Sequence, residues 1–135
     1  MVKAENSISI DSAIESFRNG RMLIVVDDED RENEGDFIIA AEKARPEDIN
    51  FMMKQGRGLI CIAISSEYTH RLDLSPMVSD NTAIHQTNFT VSVDAALNTS
   101  TGISAHDRWE TTQVILDKKS IPSDLARPGH MFPLT

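Results

Sequence analysis

Between Asp27 and Asp36 the chain reads Asp-Asp-Glu-Asp-Arg-Glu-Asn-Glu-Gly-Asp, seven carboxylates in ten residues with Arg31 as the one cation among them. Carboxylates about 4 Å apart repel by roughly 1 kcal/mol even in water, and by more where solvent is partly excluded. A loop that holds them together therefore needs compensating positive charge. Arg31 supplies one charge, and a hard divalent cation, which prefers carboxylate oxygens, is the natural source of the rest. The competing reading is a polar hairpin whose charges only keep the chain solvated. A calcium loop of the EF-hand type is set aside. Asp30, Glu32, Glu34 and Gly35 fit the first, third, fifth and sixth places of its frame, but Ala41 stands where the closing bidentate Glu is needed.

The residues on either side must hold this loop. Met22 to Val26 and Phe37 to Ala41 are short apolar runs that read as buried strands, which makes the acidic run a tight loop and not a tail. Upstream, Ser9 can cap a helix in which Ile10, Ala13, Ile14 and Phe17 share one face, Gly20 can end it, and that face is expected to pack on a sheet. Downstream, Pro46 suits the first turn of a second helix with Ile49, Met52 and Met53 inward and Gly56 after its end. Gly58 to Ile64 reads as another buried strand. It contains Cys61, whose thiol is read as buried and inert, with a pocket-lining thiol as the functional alternative.

Ser65 or Ser66 can cap a short helix that carries His70, a surface or structural histidine. Residues 75–88 lack any apolar period and read as a long loop of the kind that often forms lids or binding segments; His85 there is either solvated or in contact with substrate. Phe89, Val91 and Val93 alternate with Thr90, Ser92 and Asp94, a half-buried strand whose polar face can line a pocket. Thr101 and Gly102 precede a helix capped by Ser104, with Asp107 in the capping-box position. The free amides of that helix start can receive an anion, although a purely structural cap is the commoner use. His106 is read as a surface residue. Residues 118–129 form a polar linker closing on Arg127-Pro128-Gly129-His130, a turn from which the histidine either projects into a cleft or merely completes the turn. Met131 to Leu134 begins a last strand.

The formal charge of −8 and the isoelectric point near 4.8 argue against nucleic acid or an anionic membrane surface as partner, since both call for a basic footprint. Residues 1–9 hold no apolar signal core, and no run approaches the roughly 18 apolar residues of a membrane span. A soluble and, in a bacterium, cytoplasmic protein is expected. The single cysteine excludes an intrachain disulfide. With helices and strands alternating throughout, the expected fold is α+β with mixed α/β layers, in one domain over residues 1–135.

The stretch Asp28-Glu29-Asp30-Arg31-Glu32-Asn33-Glu34-Gly35-Asp36 resembles the signature loop of 3,4-dihydroxy-2-butanone 4-phosphate synthase. Three further stretches agree in order: Phe89 to Ala95, Thr101 to Ala105 with Asp107-Arg108, and Arg127 to His130 followed by Phe132-Pro133-Leu134. The resemblance spans essentially the whole chain. It implies the dihydroxybutanone phosphate synthase-like fold, a homodimer with its active site at the interface, and a lyase of riboflavin biosynthesis. Such an enzyme converts the sugar phosphate D-ribulose 5-phosphate to L-3,4-dihydroxy-2-butanone 4-phosphate and formate with magnesium or manganese.

By the same resemblance Glu32 is the metal-binding residue. Arg31, Glu32, Asp36 and Thr101 contact substrate, and Glu34 and His130 are catalytic. The family pattern continues past Phe132-Pro133-Leu134 into a second signature, Arg-x-Gly-His-Thr-Glu-Ala, which supplies a metal-binding histidine and a phosphate grip. Residues 1–135 do not include it. The chain is therefore expected to be the family domain without its C-terminal part, and two readings follow. One is the lyase, with weak turnover by this chain alone; the other is a non-catalytic relative that binds divalent metal or sugar phosphate.

The crowding of the acidic loop yields a direct test. Manganese should bind weakly and enhance water proton relaxation, and Glu32→Gln should lower that enhancement. Equal enhancement in both proteins would identify the loop as a solvated hairpin.

Overall fold

A computed structural model of the protein describes residues 7–28 and 30–135, and the chain clusters into two units, residues 1–44 and 45–135. Glu29 of the acidic run lies outside the described residues. In the first unit the Ser9 hydroxyl accepts the Ser12 amide at 3.3 Å and opens helix α1, Ile10–Arg18. Gly20 follows at φ 75°, a left-handed backbone that a glycine adopts without strain. Strands β1, Leu23–Val26, and β2, Gly35–Ile38, pair as an antiparallel hairpin with Leu23 opposite Ile38 and Val26 opposite Gly35.

The sequence pattern locates both strands and the loop between them, but not their environment. Ile24 and Val26 are each 67% exposed, and no residue of α1 is buried, although the helix adjoins β1. An apolar run marks what a strand can bury. It does not supply the covering layer, and a two-stranded ribbon beside one helix has too little partner surface to close a core.

The second unit is built on a three-stranded sheet. Its strands are β3, Cys61–Ala63, β4, Val93–Ala95, and β5, Leu125–Leu134, in the order β3-β5-β4. The long β5 runs parallel to β3 and antiparallel to β4. Helix α4, Ala105–Leu116, packs on β4 and β5, and α2, Pro46–Phe51, packs on α4. The result is a mixed arrangement of helices and sheet, as the alternating pattern predicts. Ile49, Val93, Ile115 and Met131 are buried in its core.

Between the sheet and the helices, arginines close the loops. Arg71, at the end of α3, Ser66–Arg71, donates to the carbonyls of Ile115, Asp117 and Ser120, each at 2.9 Å, and so caps the C-terminus of α4. Arg127 donates to the carbonyls of Leu72, Pro122 and Leu125.

Four local expectations change. Helix α2 passes directly into a π-helical turn, Met52–Gly56, and the left-handed residue that ends it is Arg57, at φ 61°, not Gly56. Cys61 is exposed, because β3 is an edge strand and alternate side chains leave the core; Ile62 between its neighbours is the buried one. The strand expected from Phe89 to Asp94 is regular only over Val93–Ala95. Thr90 and Phe89 make single bridges to Pro76 and Leu134, and Thr90 and Asp94 are buried together with Val93. Finally, the Arg-Pro-Gly-His segment is not the end of a linker. It lies inside β5, with a cis Arg127–Pro128 bond, where the register against β4 shifts between Val93 and Asp94. Proline withdraws a donor and tertiary pairing restores the ladder around it, which local propensity cannot foresee. No helix among the described residues is long and apolar enough to cross a membrane.

Candidate active site

The acidic loop is organised by its first carboxylate. Asp27 Oδ1 accepts the backbone N–H of Glu34 at 2.9 Å, and Oδ2 accepts that of Glu32 at 2.9 Å and Arg31 Nη1 at 3.0 Å. Asn33, at φ 51°, makes the bend that lets two amides separated by one residue converge on a single carboxylate. The Glu34 amide first, and then the Glu32 amide and Arg31, hold the Asp27 carboxyl below the usual carboxylate range. Arg31 Nη2 also lies 3.6 Å from Glu32 Oε1. Much of the charge compensation that the sequence demands is thus internal. It comes from one guanidinium and two peptide dipoles directed at Asp27. Glu34 and Asp36 remain at the surface. For a hard cation the loop offers Glu32 as an oxygen donor, whereas among the described residues no group of three or more His, Cys, Asp or Glu side chains is arranged to hold a metal.

In the second unit His130 projects from β5 and is gripped twice by one carboxylate. Asp94 Oδ1 accepts the His130 backbone N–H at 2.8 Å, and Oδ2 lies 2.8 Å from His130 Nδ1. Two glycines make this possible. A Cβ at Gly129 would collide with the β4 backbone at Val93 and Asp94, and a Cβ at Gly102, which sits at φ 85°, would collide with the Asp94 carboxylate. The chain can approach this closely only without side chains at these positions. Arg108 Nη1 donates to the His130 carbonyl at 2.6 Å, and its Nε to the Ile103 carbonyl at 3.0 Å. Burial pushes the Arg108 guanidinium down from its ordinary value, and the Asp94 charge opposes that. The arginine is spent on the scaffold.

Thr101 is exposed on the turn that leads into α4. As the capping pattern predicts, Ser104 Oγ accepts the Asp107 amide at 3.0 Å. The Asp107 side chain turns upstream instead. It accepts Ser100 Oγ at 2.8 Å, Ser100 N at 3.3 Å and Gly102 N at 3.0 Å, so the turn carrying Thr101 is tied on both sides to a buried carboxylate. The Ser100 hydroxyl is the main cause that lowers the Asp107 carboxyl below its ordinary value. His106 is exposed and faces Trp109, with ring centroids 5.7 Å apart. His70 and His85 are exposed too.

Of the residues singled out by sequence, Arg31, Glu32 and Glu34 share the loop of the first unit, and Asp36 stands on β2 directly after it. Thr101 and His130 belong to the second, linked through Gly102, Asp94 and the ring. Asp27 and Asp94 were the two organising residues that sequence reasoning missed. Asp27 reads as one more acid in a run of acids. Asp94 has a usable signal, a carboxylate on the polar face of an alternating strand, but its partner lies 36 residues away.

Residues 11–135 match the family model of 3,4-dihydroxy-2-butanone 4-phosphate synthase. The chain belongs to this family. Among curated relatives, the riboflavin biosynthesis protein RibBA of Bacillus subtilis (strain 168) is 58% identical over 125 residues, and that of Cytophaga hutchinsonii is 59% identical over 127. Each alignment covers 93% of this chain but 31% of the relative, so the chain spans about a third of the length of the curated relatives it matches. The dihydroxybutanone phosphate synthase fold is shared in three dimensions as well. A crystal structure of 3,4-dihydroxy-2-butanone 4-phosphate synthase in complex with two magnesium ions superposes with a TM-score of 0.89 at 44% identity, over 95% of this chain and 60% of that one. RibBX from A. baumannii, a two-domain synthase, superposes with a TM-score of 0.87 at 42% identity, over 94% of this chain and 37% of that one.

The Asp107 contacts set an acid limit on the turn that carries Thr101. A carboxyl whose folded value is lowered contributes stability that is complete above its unfolded value, about 3.9 for aspartate, and that is lost as pH falls through the lowered folded value. The gap in urea midpoint between the parent and Asp107→Asn should therefore be constant near neutrality and narrow below about pH 4. A gap that does not change with acid would mean that Asp107 acts only by its shape.

Proposed function

We propose that this chain carries the lyase function of its family, the conversion of D-ribulose 5-phosphate to L-3,4-dihydroxy-2-butanone 4-phosphate and formate in riboflavin biosynthesis. The observation that carries the reading is the extent of the family match, which takes in the acidic loop, Thr101 and His130 together. The two products together contain the atoms of the substrate, so the reaction needs no oxidant or reductant. Its demands are proton transfers at carbon and oxygen and a rearrangement of the carbon skeleton that expels C4 as formate.

The donor chemistry of the loop fits a hard cation. Magnesium commonly takes one or two carboxylates and keeps several waters, and Glu32 is the proposed protein ligand. Magnesium is favoured by the solved relative that holds two such ions, with manganese as a substitute of similar oxygen preference. When bound, the ion supplies Lewis-acid polarisation of the ketone and hydroxyl oxygens.

The remaining roles belong to side chains. Glu34 takes or returns the proton of the adjacent C–H, and Asp36 accepts a hydrogen bond from a substrate hydroxyl. Arg31 offers the anionic sugar phosphate those guanidinium donors not used by Asp27. Thr101 contributes its hydroxyl to substrate, and His130 moves a proton at a ring nitrogen. The proposed site of action is the cytoplasm, in keeping with a phosphorylated substrate that does not cross a membrane unaided.

A homodimer is part of the same proposal. What supports it is the apolar surface that the first unit leaves open, Ile24 and Val26 on the hairpin with Ile10 and Ile14 on α1. Sedimentation should show a dimer or larger species. A clean monomer that binds no apolar dye would count against it.

The activity is tested by formate release from ribulose 5-phosphate under saturating magnesium. Glu34→Gln and His130→Gln should each lower kcat by about 10²–10⁴-fold, the usual value of a positioned acid or base. A parent chain that binds manganese yet releases no formate would favour the non-catalytic reading.

A further inference from the structure

We infer that Asp94 is the positioning residue of His130, holding the neutral ring in the Nδ1–H form so that Nε2 is the nitrogen that exchanges protons with substrate. The inference rests on the proposed function for its catalytic consequence, but its physical content stands on geometry alone. Asp94 is 9% exposed, and a carboxylate buried to that degree needs donors. His130 provides two. The backbone N–H lies 2.8 Å from Oδ1 and ring Nδ1 lies 2.8 Å from Oδ2. An ionised carboxylate only accepts hydrogen bonds, so the nitrogen facing Oδ2 must carry the proton. In a neutral ring that leaves Nε2 as the acceptor, and among the described residues Nε2 has no hydrogen-bond partner.

Rigidity follows from the same contacts. The ring is anchored through its main chain and its side chain to one group, and that group is fixed in turn. Gly102 presses on the carboxylate so closely that no side chain fits there. Gly129 brings β5 against the β4 backbone at Val93 and Asp94, and Arg108 holds the His130 carbonyl. The Ala95 amide next in line donates to Thr111 Oγ1 of α4 at 2.8 Å, which pins β4 behind the pair. A histidine free to rotate would present either nitrogen, in either tautomer. Here only one presentation satisfies the buried acid.

The two-point grip makes the conservative variant decisive. In Asp94→Asn the His130 backbone N–H still needs an acceptor, so the amide oxygen must face it and the NH2 group must face Nδ1. Nδ1 then has to accept, and the ring proton moves to Nε2. Replacing one carboxylate oxygen at position 94 with an NH2 donor thus inverts the tautomer with little change in the shape of the side chain, and the nitrogen offered to substrate becomes a donor.

The test uses 15N-labelled chain at a pH where the ring is neutral. The parent should show a protonated Nδ1 and a pyridine-type Nε2, and Asp94→Asn the reverse. In the formate assay Asp94→Asn should lower kcat by about 10²-fold or more with KM little changed, whereas a merely structural role would change stability and leave both the tautomer and the ratio alone. A parent ring protonated at Nε2 overturns the inference whether or not the variant folds. So does full turnover by a folded Asp94→Asn whose tautomer has inverted. If the parent releases no formate, the lyase reading fails, and the ring spectra still decide whether Asp94 sets the tautomer.

Discussion

The contact between Gly129 and the backbone of Val93 and Asp94 is the constraint on which the second unit depends. Side chains on paired strands normally stand above and below the sheet, clear of the neighbouring backbone. Here β5 comes so close to β4 that only hydrogen fits on the α-carbon of residue 129. Because of that approach, a carboxylate on β4 reaches both the main chain and the ring of the next residue on β5. The same carboxylate fixes how near the turn at Gly102 can come, and so where the turn bearing Thr101 stands. Packing and site geometry are one problem in this region.

The acidic loop solves a different problem by a related device. Seven carboxylates cannot be packed into a hairpin on Coulomb grounds unless something opposes them. Asp27 is inverted in role: it is an acid that gathers positive ends, two amides and a guanidinium, and so folds the loop around itself. Its neighbours Glu34 and Asp36 are left at the surface. In both units a carboxylate organises residues to which the proposed function gives roles, Asp27 for Arg31 and Glu32, Asp94 for His130. Asp107 does the same for the turn that carries Thr101.

Arginines serve as mortar. Arg71, Arg108 and Arg127 each direct their guanidinium donors at backbone carbonyls on segments far apart in sequence. A planar fork that satisfies two or three carbonyls at once closes helix and strand ends that would otherwise be left without partners. Three of the 13 Lys and Arg residues are committed in this way, and Arg31 is the cation within the acidic loop.

The sequence by itself determined what depends on near neighbours. Ser9 and Ser104 cap the helices they were expected to cap, because an N-cap needs only a hydroxyl and the amides of the next turn. The hairpin around the acidic run was legible from two apolar segments and the charges between them, and the family from motifs whose residue types lie in order along the chain. Tertiary structure decided what depends on distant partners. It decided that Arg127 to His130 belongs to a central strand and not to a turn, since the ladder comes from β4 and β3. It decided that the apolar hairpin is exposed and that Cys61 lies outside the core, since burial is a property of the covering layer and not of the segment. Above all it decided that Asp94 meets His130. A hydrogen bond across 36 residues has no periodicity to betray it, and its energy is gained only once the sheet has brought the two strands together.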